Sequence, residues 1–292
     1  MDERGRLFPV RIAIGVIAVS FGSILVRLAG EASPLAIAGW RLGLAAVFLL
    51  PIVALHGNLR RIDRRILLLA IGSGCALSLH FILWISSLEY TSVSSSVLFV
   101  TTHPMFVGIG SHFLLKERVG RRLVAGIALS IIGGIIIGWG DLRIGGRAVY
   151  GDLLAIGGGL AAAIYFLIGR TVRKGSNLID YIAIAYGTAA AIVLVSCAAT
   201  GARLTGFSHQ TYLYLSLLAI GPQLIGHTTF NWALKHLSAA KVSVVILGEP
   251  VGATILAILF FREVPGWLNG IGAVIILVGI YLSLRSEEGQ NG

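Results

Sequence analysis

Charged side chains are scarce in this 292-residue chain. Asp, Glu, Lys and Arg make up only 12% of it, against about 25% of a typical soluble domain, and 56% of the residues are hydrophobic. So few charges cannot cover the surface of a soluble protein, and long apolar runs recur along the whole length. The composition therefore predicts an all-α integral membrane protein, surrounded by membrane lipid.

Cysteine and the motifs of cofactor chemistry are also scarce. Cys75 and Cys197 both fall inside apolar runs without metal-ligand spacing, so neither a disulfide framework nor a metal site is expected. The chain has no Walker-type phosphate loop, which argues against ATP-driven pumping, and no cofactor is indicated. Its net charge of +10 does not indicate a nucleic-acid partner, because the basic residues lie in short loops between apolar runs.

Apolar runs of about 20 residues, bounded by charge, Gly or Pro, predict ten transmembrane helices. They lie at about 9–29, 34–55, 66–88, 92–114, 121–140, 150–170, 178–200, 211–234, 239–261 and 267–284. An even number of spans places both termini on one side. Lys and Arg concentrate in the loops of that side, as at 60–65 and 116–122, so both termini are predicted to be cytoplasmic.

The two halves of the chain share a pattern at an offset of 146 residues. Pro104 aligns with Pro250, Glu117 with Glu263, Gly126 with Gly272 and Gly133 with Gly279. This predicts two five-helix repeats in one transmembrane domain, the first in residues 1–145 (about 9–140) and the second in 146–292 (about 150–284). Because five is odd, the repeats enter the membrane from opposite sides, and an inverted repeat places a binding site between its halves.

Two prolines, Pro104 and Pro250, lie inside the fourth helix of each repeat. A proline in a helix removes one backbone hydrogen bond and displaces the carbonyl four residues earlier. At membrane depth such a break is tolerated where neighbouring groups or cavity water satisfy that carbonyl. A paired hinge that bends during alternating access and a static kink both fit, and the occurrence in both halves favours the hinge.

Glu249 precedes Pro250 directly and lies near the middle of its span, where an acidic group is costly and indicates function. Three roles fit it: a ligand for a substrate amine, a proton carrier, or an acceptor that pairs with a neighbouring helix. Its counterpart in the first repeat is His103, which precedes Pro104.

Further polar and aromatic residues share helix faces through their spacing. Gln223, His227 and Asn231 follow at intervals of four, and His80 and Trp84 do the same. The candidate substrate-binding residues are Trp40, His80, Trp84, Phe99, His103, Tyr165, Gln223, His227, Asn231 and Glu249; none is assigned a catalytic or metal-binding role. Each has a structural alternative in packing or carbonyl bonding, but together they predict a site for a small zwitterion or aromatic solute.

The proline pair, each followed 13 residues later by a glutamate, and the glycines of the fifth helices resemble the drug/metabolite transporter superfamily. GEPVGATILAILFFRE in the second half is similar to the Glu-Pro signature of its EamA-type proteins, and the first half departs from it at His103. The resemblance implies a transporter of the bacterial cytoplasmic (inner) membrane, with Glu249, Pro104 and Pro250 at a central cavity. Within the superfamily the chain looks most like the aromatic amino-acid exporters.

Three functions are considered for this sequence. The first is export of amino acids, aromatic and other neutral ones, by alternating access, and the second is export of drugs or other metabolites. The third is a membrane enzyme that uses the histidines and Glu249 on a lipid-borne substrate, for which neither a zincin motif nor a serine-nucleophile motif is present. For a transporter, proton coupling through Glu249 or a histidine and facilitated transport both fit, and the sequence specifies no oligomeric state.

Overall fold

The computed structural model describes residues 3–59, 62–91, 93–117, 120–138, 146–262 and 267–285. Within these ranges the regular secondary structure is entirely helical, as the composition predicted. The helices are α1 (Glu3–Leu28), α2 (Pro34–His56), α3 (Arg64–Ser87), α4 (Val93–Val100), α5 (His103–Phe113), α6 (Arg121–Gly138), α7 (Gly146–Gly175), α8 (Leu178–Thr200), α9 (His209–Leu218), a π-helical segment (Ala219–His227), α10 (Thr228–Ala233), α11 (Ala239–Ile246), α12 (Gly248–Phe261) and α13 (Trp267–Leu284).

Six helical stretches in the described residues are long and apolar enough to cross a membrane. They are Phe8–Leu28, Pro34–His56, Arg64–Ser87, Gly146–Gly175, Leu178–Thr200 and Ala239–Phe260. A shorter apolar helix covers Gly270–Leu284. The predicted spans at 92–114 and 211–234 are each built from shorter consecutive helices. Together these elements agree with a multi-pass membrane protein.

Polar residues in the short connections begin several helices. The Ser33 side chain accepts a hydrogen bond from the Ala36 amide, and Asn177 does the same for Asp180. Such caps satisfy amide groups that have no partner inside the helix, and Pro34 supplies a first helical residue that needs no such partner. The chain can therefore end one helix and begin the next within a few residues.

Two long apolar runs are interrupted at the positions that their prolines mark. α4 ends at Val100 and α5 begins at His103, so Pro104 lies in the first turn of α5. α11 ends at Ile246 and α12 begins at Gly248, so Pro250 lies in the first turn of α12. Proline is compatible with a first turn because the amide that it lacks has no helical partner there.

Helices α6 and α13 pack closely through glycine. A Cβ added at Gly126 would lie 2.6 Å from the Gly279 carbonyl oxygen, and one added at Gly133 would lie 2.6 Å from the Gly272 carbonyl oxygen. Since the residue number rises along α6 as it falls along α13, the two helices run antiparallel. Small residues permit this close backbone approach, which van der Waals packing in a membrane requires.

The remaining long helices surround the interior of the described structure. α3 packs against α7 and α8, α2 packs against α8, and α1 packs against α12 and the π-helical segment. α4 and α5 both pack against α7. Elements from both halves of the chain therefore meet around one central space.

Candidate functional site

A cavity lies between these helices and is lined from both halves of the chain. The cavity volume is about 50 Å³, which is room for a few waters. Six of the sequence candidates line it: His80, Trp84, His103, Tyr165, His227 and Glu249. Because the space is small, a larger solute requires the lining side chains or helices to move.

The histidines at the cavity are oriented by backbone carbonyls. His80 Nδ1 donates to the Gly158 carbonyl at 2.9 Å, and His103 Nδ1 donates to the Val100 carbonyl at 3.2 Å. A carbonyl oxygen only accepts, so both rings carry their proton on Nδ1, and Nε2 is an acceptor in the neutral ring. The Val100 carbonyl is also the one that Pro104 displaces from helical hydrogen bonding. The His103 ring therefore supplies this carbonyl with the hydrogen bond that the helix cannot provide.

Aromatic rings form much of the cavity wall. The rings of His80 and Trp84 are stacked, with an interplanar angle of 4° and centroids 6.1 Å apart. Trp84 Nε1 is buried, and no acceptor for it occurs among the described residues. Phe81 and Phe166 also line the cavity, and neither had been singled out from the sequence. The wall therefore combines apolar faces with an unsatisfied donor.

Glu249 stands in the first turn of α12, where the positive end of the helix dipole favours a negative charge. A Cβ added at Gly22 of α1 would lie 3.8 Å from Glu249 Oε1 and 3.8 Å from Trp84 Cη2. The missing side chain at Gly22 thus leaves open the part of the cavity between the carboxylate and the indole.

Arg41 is the main residue of this cavity that the sequence candidates omitted. Its side chain is buried at 2% exposure, its Nε donates to Gln223 Oε1 at 2.8 Å, and its guanidinium lies 4.0 Å from the centre of the Phe81 ring. An arginine this close to the outer end of a span is expected to extend toward water, so Arg41 was not among the candidates for the cavity. The sequence signal that could have identified Arg41 is a charged residue inside an apolar run, which indicates function.

Gln223 and Asn231 lie behind the lining and hold it in place. Gln223, in the π-helical segment, orients Arg41, and π-helical turns are frequent at functional sites. Asn231 Nδ2 donates to Tyr165 Oη at 2.6 Å and to Tyr186 Oη at 3.1 Å. The polar stripe at intervals of four thus faces the interior, with His227 alone at the cavity itself.

Two candidates lie away from the cavity. Trp40 Nε1 donates to the Leu204 carbonyl at 2.8 Å, and its ring packs edge-on against Tyr212. Phe99 is half-buried, and its carbonyl accepts from Thr102 Oγ1 at 2.7 Å at the break after α4. Glu263, which the sequence aligned with Glu117, lies outside the described residues.

Comparison with known proteins identifies a family that this chain matches. Residues 10–139 and 149–285 each match the EamA-like transporter family. A protein of Clostridium kluyveri described as an uncharacterized transporter is 27% identical over 212 residues, which is 70% of this chain and 68% of that protein. The uncharacterized transporter YyaM of Bacillus subtilis is 26% identical over 266 residues, 86% of this chain and 84% of that protein.

A solved structure shares the fold. One protein crystal structure superposes with a TM-score of 0.80 at 17% identity, covering 95% of this chain and 96% of that chain. At this identity the likeness concerns the fold alone.

Proposed function

The chain belongs to the EamA-like transporter family, and we propose that it is a secondary transporter that exports amino acids, aromatic and other neutral ones, across the bacterial inner membrane. The observation that carries this proposal is the cavity, which brings the Glu249 carboxylate and the aromatic faces of Trp84 and Phe81 together inside a helical membrane protein. A carboxylate binds an ammonium group, and aromatic faces accommodate an apolar side chain.

The proposed architecture is ten spans in two inverted repeats. Two observations support it. The family match occurs once in each half, and the contacts between α6 and α13 map onto one another when each residue is replaced by its counterpart 146 positions away. Gly126 contacts Gly279, and their counterparts Gly272 and Gly133 contact each other. Two equivalent helices that pack antiparallel are expected of repeats with opposite orientation.

The proposed mechanism is alternating access with hinges at Pro104 and Pro250. Each proline follows an interruption between two short helices, so bending there costs no continuous ladder of hydrogen bonds. His103 and Glu249 each immediately precede a hinge proline and line the cavity. Bending at a hinge therefore moves a cavity side chain. Opening of the cavity to one side of the membrane is thus coupled to the contacts that this side chain makes with the solute.

The test is uptake of labelled amino acids into liposomes that contain the purified protein. Phenylalanine and threonine form the first panel, and Glu249→Gln is compared with the wild type at equal protein density. We expect saturable phenylalanine uptake that other neutral amino acids inhibit and that Glu249→Gln loses.

Other results of this assay correct different parts of the proposal. Uptake of an aromatic organic cation without uptake of any amino acid would support drug export instead, since the rings and the carboxylate also fit such a solute. Saturable amino-acid uptake that is unchanged in Glu249→Gln would leave the transporter and reduce Glu249 to a structural residue.

A further inference from the structure

Arg41 is a buried cation whose protein contacts occupy only part of its guanidinium. Gln223 accepts from Nε, and the Phe81 ring covers one face of the group at 4.0 Å. No hydrogen-bond partner for the two terminal nitrogens occurs among the described residues. These two nitrogens are the donors with which an arginine binds a carboxylate in a bidentate way.

Glu249 supplies the opposite charge to the same cavity. The two side chains line the same cavity, yet among the residues that the structure describes no direct ion pair joins them. A single charge inside a membrane protein is costly, and each group lowers that cost for the other across the cavity. The wall of this one cavity therefore carries both a buried cation and a buried anion.

Trp84 contributes an independent observation at the same place. Its Nε1 is a buried donor with no acceptor in the described part of the chain, and its indole lies beside the open position at Gly22. Buried donors are rarely left without a partner, and such an exception calls for an acceptor that the protein itself does not provide.

We propose that Arg41 and Glu249 form a bipolar site for a zwitterion, in which Arg41 binds the carboxylate and Glu249 binds the ammonium group of an α-amino acid. This inference rests on the proposed function and names the chemistry that selects its substrate. A solute that carries one of the two groups leaves the opposite buried charge without a partner, and a site built for a polar group strongly rejects a ligand that lacks it. Gln223 is a positioning residue, because it orients the guanidinium through Nε.

The experiment compares three ligands that share one ring: phenylalanine, 2-phenylethylamine and 3-phenylpropionate. Binding to the purified full-length protein is measured calorimetrically for the wild type, Arg41→Gln and Glu249→Gln. We expect the wild type to bind phenylalanine at least about tenfold more tightly than either analogue, since a hydrogen bond to a charged group typically contributes about a factor of ten to a hundred.

The two variants should respond in a crossed pattern. Arg41→Gln should weaken phenylalanine about ten- to hundredfold without weakening 2-phenylethylamine, whereas Glu249→Gln should weaken phenylalanine similarly without weakening 3-phenylpropionate. Arg41→Lys keeps the charge without the planar fork and should fall between the wild type and Arg41→Gln. Trp40→Phe is the matched control, because it changes the neighbouring residue on the same helix away from the cavity.

Three results would overturn the inference. They are equal weakening of all three ligands in both charge variants, an affinity of the wild type for 2-phenylethylamine that equals its affinity for phenylalanine, and wild-type affinity for phenylalanine in Arg41→Lys. If Arg41→Gln fails to fold, Arg41→Lys and Glu249→Gln still decide the question. Phenylalanine transport without the crossed pattern would reject the bipolar site alone, whereas absence of any amino-acid transport would reject the proposed function.

Discussion

The contact between α6 and α13 gives the most direct stability prediction, and Gly133→Ala is the perturbation. The added Cβ would lie 2.6 Å from the Gly272 carbonyl oxygen and 3.0 Å from the Ile276 amide nitrogen. Both neighbours are backbone atoms, which cannot move aside as a flexible side chain can. Ordinary contact begins near 3.4 Å, so the helix axes must separate by about 0.8 Å, the difference between 3.4 and 2.6 Å.

The expected cost follows from comparison with a glycine in open space. Inserting a methyl group into a packed interface costs about 1–3 kcal/mol, whereas Gly to Ala inside a helix gains up to about 1 kcal/mol from propensity. Gly187 in α8 is the matched control, since no other described helix comes within 4 Å of its added Cβ. Gly133→Ala should therefore be about 1–3 kcal/mol less stable than Gly187→Ala, because the propensity gain cancels in the comparison.

Unfolding by increasing SDS in mixed micelles, followed by loss of helical circular dichroism, measures this difference. Gly126→Ala should behave like Gly133→Ala, because its added Cβ meets the Gly279 carbonyl oxygen at the same 2.6 Å. Equal stability of Gly133→Ala and Gly187→Ala would refute close glycine packing of α6 on α13.

Two other predictions concern single contacts. Asn231→Leu removes donors from Tyr165 and Tyr186 and should lower the free energy of unfolding by about 1–3 kcal/mol in the same SDS assay; no change would contradict a structural role for these bonds. The Ser208 amide donates to Glu31 Oε2 at 2.9 Å in a connection outside the spans and lowers the pKa of Glu31 below its usual 4.5. Because the folded state depresses this pKa, the associated stability is present above 4.5 and is lost as the pH falls through the folded value. Glu31→Gln should remove that part of the acid dependence of the melting temperature, and an identical acid profile would contradict it.

Much of the architecture was accessible from sequence because it depends on local rules. Apolar run length predicts helices that cross a membrane, and Pro104 and Pro250 mark the places where two runs are interrupted. Spacing by four placed Gln223, His227 and Asn231 on one face, and the structure turns that face inward.

The rest depends on how helices face one another, which the sequence of one helix does not specify. Trp40 and Arg41 are adjacent, so they point in different directions, and packing against α9 and the π-helical segment directs Arg41 inward and Trp40 to the Leu204 connection. The π-helical segment itself was not predicted, although Pro222 inside it marks a place where regular helical hydrogen bonding is interrupted.

The most direct test of the transport pathway is exchange of labelled phenylalanine across liposomes that contain Gly22→Leu. This change fills the cavity beside Glu249 and Trp84 without altering a polar group, and Gly187→Leu adds the same side chain at a position where an added Cβ meets no other described helix within 4 Å. We expect Gly22→Leu to fold and to lose exchange, while Gly187→Leu exchanges at the wild-type rate. Wild-type exchange in a folded Gly22→Leu protein would contradict a pathway through this cavity.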